Sequence, residues 1–396
     1  MQRLHRFLAA LLYFGIAAYA IAVSIRAPFH NWDAIPYIAS AKAFEQPDIP
    51  ALQRFTYTEL RRVLPAREYE DLAREKAVGP GRGGPYRHAV STDTSVFAEV
   101  LPSYRIRPLF NGLVYVFYKC GVDIELATHL VPAIGVAAGL GFLYLLAVRF
   151  LAVALVYLLP LLALVFNVMI LARFSTPDGL AFCAWMLCAW LYARGLRAAL
   201  LFVLPIVLAI RTDLILFSLP LYVAMLVLDR PHWRGTALSL LGSVLIHFGI
   251  IGYWHHPGWK SMFACSVVTA LRCLHPAAHP PTLTLADYLA ALDRGLKILV
   301  ADGNFRIYVA LLAVAAWLLW MRKRANVGLG ATATRAVVLI GASGFFMITR
   351  FLGLPAEWPR FFAAPYVVTA FCVAWLATDC WRLVSADRHE RNPHPT

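Results

Sequence analysis

Charge is what this chain has least of. Only 15% of its 396 residues are Asp, Glu, Lys or Arg, against 60% hydrophobic, and mean hydropathy is +0.65. A water-exposed surface of that size cannot be covered with so few charges, so the composition excludes a soluble globular protein and points to an integral membrane protein. Lysine is scarcer still, with six beside 30 arginines, which we read as genome composition rather than mechanism. The seven cysteines lack the paired spacing of a zinc site. There is no Asp-x-Asp and no nucleotide-binding glycine pattern, so a soluble nucleotide donor has no seat. The stretch Gly79-Pro80-Gly81-Arg82-Gly83-Gly84-Pro85 follows no strand and lacks the Lys-Ser/Thr of a P-loop, and it reads as a turn region.

Long apolar runs are abundant. They cover 7–25, 126–148, 150–171, 179–193, 198–210, 213–228, 236–253, 304–321, 335–351 and 361–380. The fold expected is an all-α polytopic membrane protein of about ten transmembrane helices, forming a single domain over 1–396. As one helix, 198–228 would be about 46 Å long against a hydrocarbon core of ~30 Å. Arg211-Thr212-Asp213 is therefore expected to break it, with Asp213 capping the second half. The net charge of +14 would suggest nucleic acid in a soluble protein. Here it is better tested against the excess of Lys and Arg in cytoplasmic loops, and no nucleic-acid partner is expected. With the break in place, Arg3, Arg6, Arg149, Arg194, Arg197, Arg230, Arg234, Arg322, Lys323, Arg324, Arg335, Arg382, Arg388 and Arg391 share one side, taken as cytoplasm, with both termini there. The first run continues through Ile25, which suits a retained signal anchor better than a cleaved signal peptide.

Two long polar loops then fall on the outer face, 26–108 and 254–303, each with amphipathic helices. The first holds 12 basic and 10 acidic residues. Within it Tyr57 to Val78 reads as helix broken at Pro65, with Leu60, Leu64 and Leu72 inward. In the second, Leu285 to Val300 reads as an interfacial helix with Tyr288, Leu292 and Leu296 as its apolar stripe. Cys265 and Cys273 share this loop, but eight residues of helix would separate them by about 12 Å, too far for a disulfide unless the segment is irregular. His255, His256, His275 and His279 are here too. Pro276 between His275 and His279 argues against a common helix face, so no metal is assigned and no cofactor is required, with a divalent ion left open. His247 is taken as the histidine embedded in an apolar helix, and as a packing residue it gives no basis for an acyltransferase.

Given this topology, Asp33, Arg107, Arg173, Asp178, Arg211, Asp213, Arg350, Glu357 and Arg360 all lie near the outer ends of helices. Charges at membrane depth cost about 2.5 to 3.5 kcal/mol each by insertion scales, so they should line a cavity or pair with one another. Each also has a structural reading. Asp33 reads also as a helix cap or a solvated loop acid, Ser175-Thr176-Pro177-Asp178 as a helix start with Thr176 as cap, Arg211 with Asp213 as an ion pair, and Arg360 as an anchor beside Trp358.

The order of these motifs is informative. An acid, Asp33, follows the first helix with Tyr37 four residues on. Next come Arg107-Pro108-Leu109-Phe110, Ser175-Thr176-Pro177-Asp178, Arg211-Thr212-Asp213, and Arg360-Phe361-Phe362-Ala363-Ala364-Pro365 near the last helix. This series resembles the GT-C superfamily of integral-membrane glycosyltransferases, which includes the protein mannosyltransferases and lipid-A aminoarabinose transferases. The resemblance implies a polyprenyl-phosphate-linked sugar as donor, a lipid or polysaccharide acceptor, and inversion with Asp33 as base on the outer face of a bacterial inner membrane. Where family members often carry two adjacent acids, this chain has Trp32 and Asp33. A departing phosphate needs cations, and Arg211, Arg350 and Arg360 are the candidates, with Tyr37, Arg107, Arg173, Asp178, Asp213 and Glu357 in support. Two other classes fit the same residues: a transporter or flippase of an anionic lipid, and a non-catalytic subunit of an envelope polysaccharide machine.

Overall fold

The computed structural model describes residues 2–73, 84–268, 273–355 and 359–391. Among them there is no strand, only one parallel bridge between Phe29 and Phe174, as expected of a chain whose apolar runs must satisfy their own backbone in lipid. Among the described residues, six helices are long and apolar enough to cross a membrane: Arg3–Arg26, Ile124–Phe150, Arg230–Tyr253, Gly303–Arg324, Ala331–Gly353 and Ala363–Leu383. The other four apolar runs also fold as helices but are shorter: Val153–Val165, Asp178–Arg194, Arg197–Ile206 and Ile215–Leu228. At 13 residues, Val153–Val165 is about 20 Å long. The run 150–171 is thus not one continuous helix. Asn167 adopts a left-handed conformation and divides it from Val168–Arg173.

Burial orders the bundle. Ala363–Leu383 is 78% buried over its apolar window and Ile124–Phe150 56%, whereas Arg230–Tyr253 is only 11% buried. The first two form the centre and the third is peripheral, turning Leu238, Leu245 and Phe248 outward. Asp178–Arg194 lies directly against Ile124–Phe150. A side chain added at Gly179 would stand 2.2 Å from the Pro132 carbonyl oxygen, so only glycine allows this approach. Trp185 stacks on Phe217 with centroids 3.7 Å apart, joining Asp178–Arg194 to Ile215–Leu228.

The expected break arrives at Arg211, whose backbone is extended between two short 3-10 turns, Val207–Ala209 and Thr212–Leu214. The carbonyl of Thr212 lies 3.2 Å from Nδ1 of His247, which so takes up one backbone group released by the break. One expectation is corrected here. Asp213 does not cap the following helix, whose N-terminus has no side-chain cap bond, because its carboxylate is occupied by Arg211.

The first loop has a core of its own, in which Ile35, Ile38, Leu52, Leu60, Phe97 and Phe110 pack over the start of Ile124–Phe150. Its helices Ile49–Val63 and Ala66–Ala73 flank Pro65, and Leu60, Leu64 and Leu72 are buried. The helix begins eight residues earlier than its amphipathic pattern suggested because Asp48 accepts from the Ala51 amide and caps it. Residues 74–83, including most of the glycine-rich turn, lie outside the described residues. In the second loop, Leu285–Ala301 forms with a Thr284/Asp287 capping box. Its inward face is Ala291 and Gly295 with Tyr288 and Leu292 partly buried, while Leu296 is exposed. The stripe is rotated because Gly295 admits Pro355 at a distance no side chain would tolerate.

Candidate functional site

Two contacts with Arg173, one through its backbone and one through its side chain, bring the first loop to the bundle. The Phe29 amide donates to the Arg173 carbonyl at 3.0 Å, and Arg173 Nε donates to the Ala27 carbonyl at 2.9 Å. The Ser175 amide then donates to Asn31 Oδ1 at 3.1 Å. Segment 27–33 is thereby laid along 173–178, which places Asp33 near Asp178. Asp33 occupies the N-cap position of Ala34–Lys42 but makes no cap bond, so the helix-cap reading does not hold. Its carboxylate is instead turned sideways. Oδ1 accepts from the Tyr104 hydroxyl at 2.7 Å, and Oδ2 accepts from Asn31 Nδ2 at 2.7 Å and from Arg360 at 3.1 Å.

From Asp33 a chain of alternating charge runs inward. Arg360 Nε lies 3.3 Å from Asp178 Oδ2, and Asp178 Oδ1 pairs with Arg211. Arg211 grips Asp213 with two bonds, Nε to Oδ1 at 3.0 Å and a terminal nitrogen to Oδ2 at 2.6 Å. Arg350 Nε lies 3.4 Å from the same Oδ2 and has no hydrogen-bond partner among the described residues. Three acids and three arginines from the first loop, three helix ends and the 359–361 turn thus form one neutral series. The arginines also share an aromatic centre, their guanidinium carbons standing 4.4 Å (Arg350), 4.7 Å (Arg211) and 5.3 Å (Arg360) from the Phe361 centroid. A small cavity lies against them, lined in part by Asp178, Arg211, Arg360, Phe361, Trp185 and Phe346.

Burial works against the Arg360 charge, yet the Asp33 and Asp178 carboxylates hold its pKa above the ordinary arginine value. Burial, with the Asp33 charge beside it, pushes the Tyr104 phenol well above its usual range, so that it remains a donor to Asp33. Thr176 does not cap the helix that starts at Asp178. Its hydroxyl donates to Asp178 Oδ2 at 2.9 Å and fixes that carboxylate.

Six of the residues singled out in the sequence therefore meet: Asp33, Asp178, Arg211, Asp213, Arg350 and Arg360. Tyr37 and Arg107 stand beside them. Tyr37 packs edge-on to Tyr104 and Phe110, and the Arg107 guanidinium lies 5.7 Å from the Tyr37 ring while donating to the Ser103 carbonyl. Arg173 is not among them, its side chain being spent on the Ala27 carbonyl. Glu357 lies outside the described residues. Sequence reasoning missed Asn31 and Tyr104, neutral groups whose partners are set by tertiary contact. It also missed His129, fully buried inside an apolar helix, although Glu125-x-x-x-His129 has the spacing of two residues on one helix face. The second-loop histidines do not gather. His275 instead pairs with Glu99 at 3.0 Å. Cys265 and Cys273 are both free thiols. They are hydrogen-bonded to one another, and Cys265 stands in a π-helical turn, Ala264–Val268, rather than in regular α-helix.

No family model, no curated protein and no solved structure matches this chain. Its likeness to the membrane glycosyltransferases therefore rests on the motif series alone.

Proposed function

We propose that the protein is a glycosyltransferase of the GT-C kind. It moves a sugar, with inversion, from a polyprenyl-phosphate donor to a lipid-linked or envelope acceptor at the outer face of a bacterial plasma membrane. The observation that carries the reading is the convergence of Arg211, Arg350 and Arg360 on Phe361, linked through Asp178 to Asp33. An ionised carboxylate offers about four acceptor positions. Three at Asp33 are taken by Asn31, Tyr104 and Arg360, which leaves one for an acceptor hydroxyl.

In the transfer step the acceptor oxygen attacks the anomeric carbon and gives its proton to Asp33, while the bond from that carbon to the phosphate oxygen breaks and its electron pair stays on the phosphate. Negative charge grows on the leaving group as it is lost by neutralisation at Asp33. Arg350, the least engaged of the three guanidinium groups, is free to receive it, with Arg211 and Arg360 exchanging acid partners for phosphate oxygens. Trp32 Nε1, buried beside Asp33 with no hydrogen-bond partner among the described residues, offers one more donor to a substrate oxygen.

The test is incubation of purified protein with a panel of polyprenyl-phosphate sugars, reading release of polyprenyl phosphate. Release that depends on Arg350 and Asp33 supports the reading. Movement of the intact lipid across a bilayer without release would make the protein a transporter.

A further inference from the structure

Outside this charge series lies a second buried cluster. His30 stands three residues ahead of Asp33, and Glu125 and His129 stand one turn apart at the start of Ile124–Phe150. Glu125 Oε1 is 3.0 Å from His30 Nδ1 and 3.0 Å from His129 Nε2, and one ligand atom from each residue lies within 4.8 Å of the others. Neither contact has hydrogen-bond geometry, and Oε1 is a buried oxygen without a hydrogen-bond partner among the described residues. Glu125 is 7% exposed and His129 0%.

The tautomer narrows the possibilities. His129 Nδ1 lies 2.9 Å from the Arg173 carbonyl, which has only lone pairs to offer, so Nδ1 carries a proton and Nε2 is the nitrogen that faces Glu125 and Ser175 Oγ. The outward nitrogen of His30 likewise faces a carboxylate, Glu68, at 3.6 Å. A histidine whose far nitrogen is held by a carbonyl or carboxylate is the usual companion of a metal, since that partner fixes the ring and raises its basicity. Two imidazole nitrogens and a carboxylate oxygen that face one another in a buried space are the donor set of a metal site.

We propose that His30, Glu125 and His129 are ligands of a divalent transition-metal ion. Two imidazoles and one carboxylate best match zinc. Ser175 Oγ, hydrogen-bonded to His129 Nε2 at 2.9 Å, gives up that bond when the ion binds, and a water completes the set. The ion joins the first loop, the central helix and the 173–175 turn, and so holds in place the Asn31 that donates to Asp33. The site does not depend on the glycosyl-transfer reading.

The experiment is metal analysis of the full chain purified in detergent from zinc-supplemented growth. About one zinc per chain is expected, falling to background in His30→Ala and Glu125→Gln and unchanged in the control His256→Asn. His30 is on a loop, so its variant should fold, and a monodisperse gel-filtration profile checks this. Cobalt exchange should give a visible ligand-field band in the parent that is missing from His30→Ala. Folded parent with no bound metal after zinc or cobalt loading would overturn the proposal, as would metal retained undiminished in both variants.

Discussion

Arg360 bridges Asp33 and Asp178, and that double engagement makes its loss specific. If Arg360 also grips the leaving phosphate, Arg360→Ala should weaken use of the donor by about 2 to 4 kcal/mol, and Arg360→Lys should recover only part because a point charge cannot span two carboxylates. Steady-state kinetics on both variants checks this, and full activity in both would leave Arg360 as an interfacial anchor. Asp213→Asn should loosen the hold on Arg211 and Arg350 and so raise affinity for polyprenyl phosphate, measured by lipid binding in detergent. At this scale the charged members of the site were legible because a charge among apolar residues must have a reason to be there. Asn31 and Tyr104 were not, since a neutral polar residue in an aromatic-rich loop gives no sign of which carboxylate it serves. Arg173 misled for the converse reason, its charge position resembling the others while its donor was committed to a backbone carbonyl.

Arg211 sits in a helix break with two acids around it, all three substantially buried. Arg211→Met should therefore destabilise the protein by about 3 to 5 kcal/mol, the cost of leaving buried partners uncompensated, and thermal unfolding in detergent should register it as a large fall in Tm. The second loop has its own pH limit. Burial and the Arg107 charge push the His256 pKa down to about 4, and its Nδ1 accepts from the Gly258 amide at 3.1 Å, which requires the neutral ring. The unfolded chain binds this proton near pH 6.5 and the folded one does not, so stability should be full above that pH and decline as pH falls towards 4. His256→Asn keeps an acceptor without titrating, and its Tm should change less between pH 7 and 5. The break itself was readable from helix length against bilayer thickness. The lengths of the elements around it were not, because Pro160, Pro205 and Pro220 lie inside helices that neighbours hold together, and local pattern does not reveal where such a helix stops.

Across the whole molecule the two ends of the bundle differ in chemistry. The acid and arginine series occupies one end, while Arg197 meets Asp229, Arg335 meets the Ala193 carbonyl and Arg322 meets Asp379 at the other. That division was legible from the distribution of basic residues, whereas helix length was not, since among the described residues six helices are long enough to cross a membrane and four apolar ones are shorter. In a Cys120→Ser background, Thr92→Cys should react with an impermeant thiol reagent in intact cells above the parent level and Ala325→Cys should not. Labelling at 325 would place the two ends on the wrong sides. The most direct measurement compares parent and Asp33→Asn on one polyprenyl-phosphate sugar, reading donor binding and sugar transfer together. We expect equal binding with transfer ~100 to 10,000-fold slower in the variant, the range for loss of a general base. Near-parental transfer by a well-folded Asp33→Asn protein would contradict the assignment.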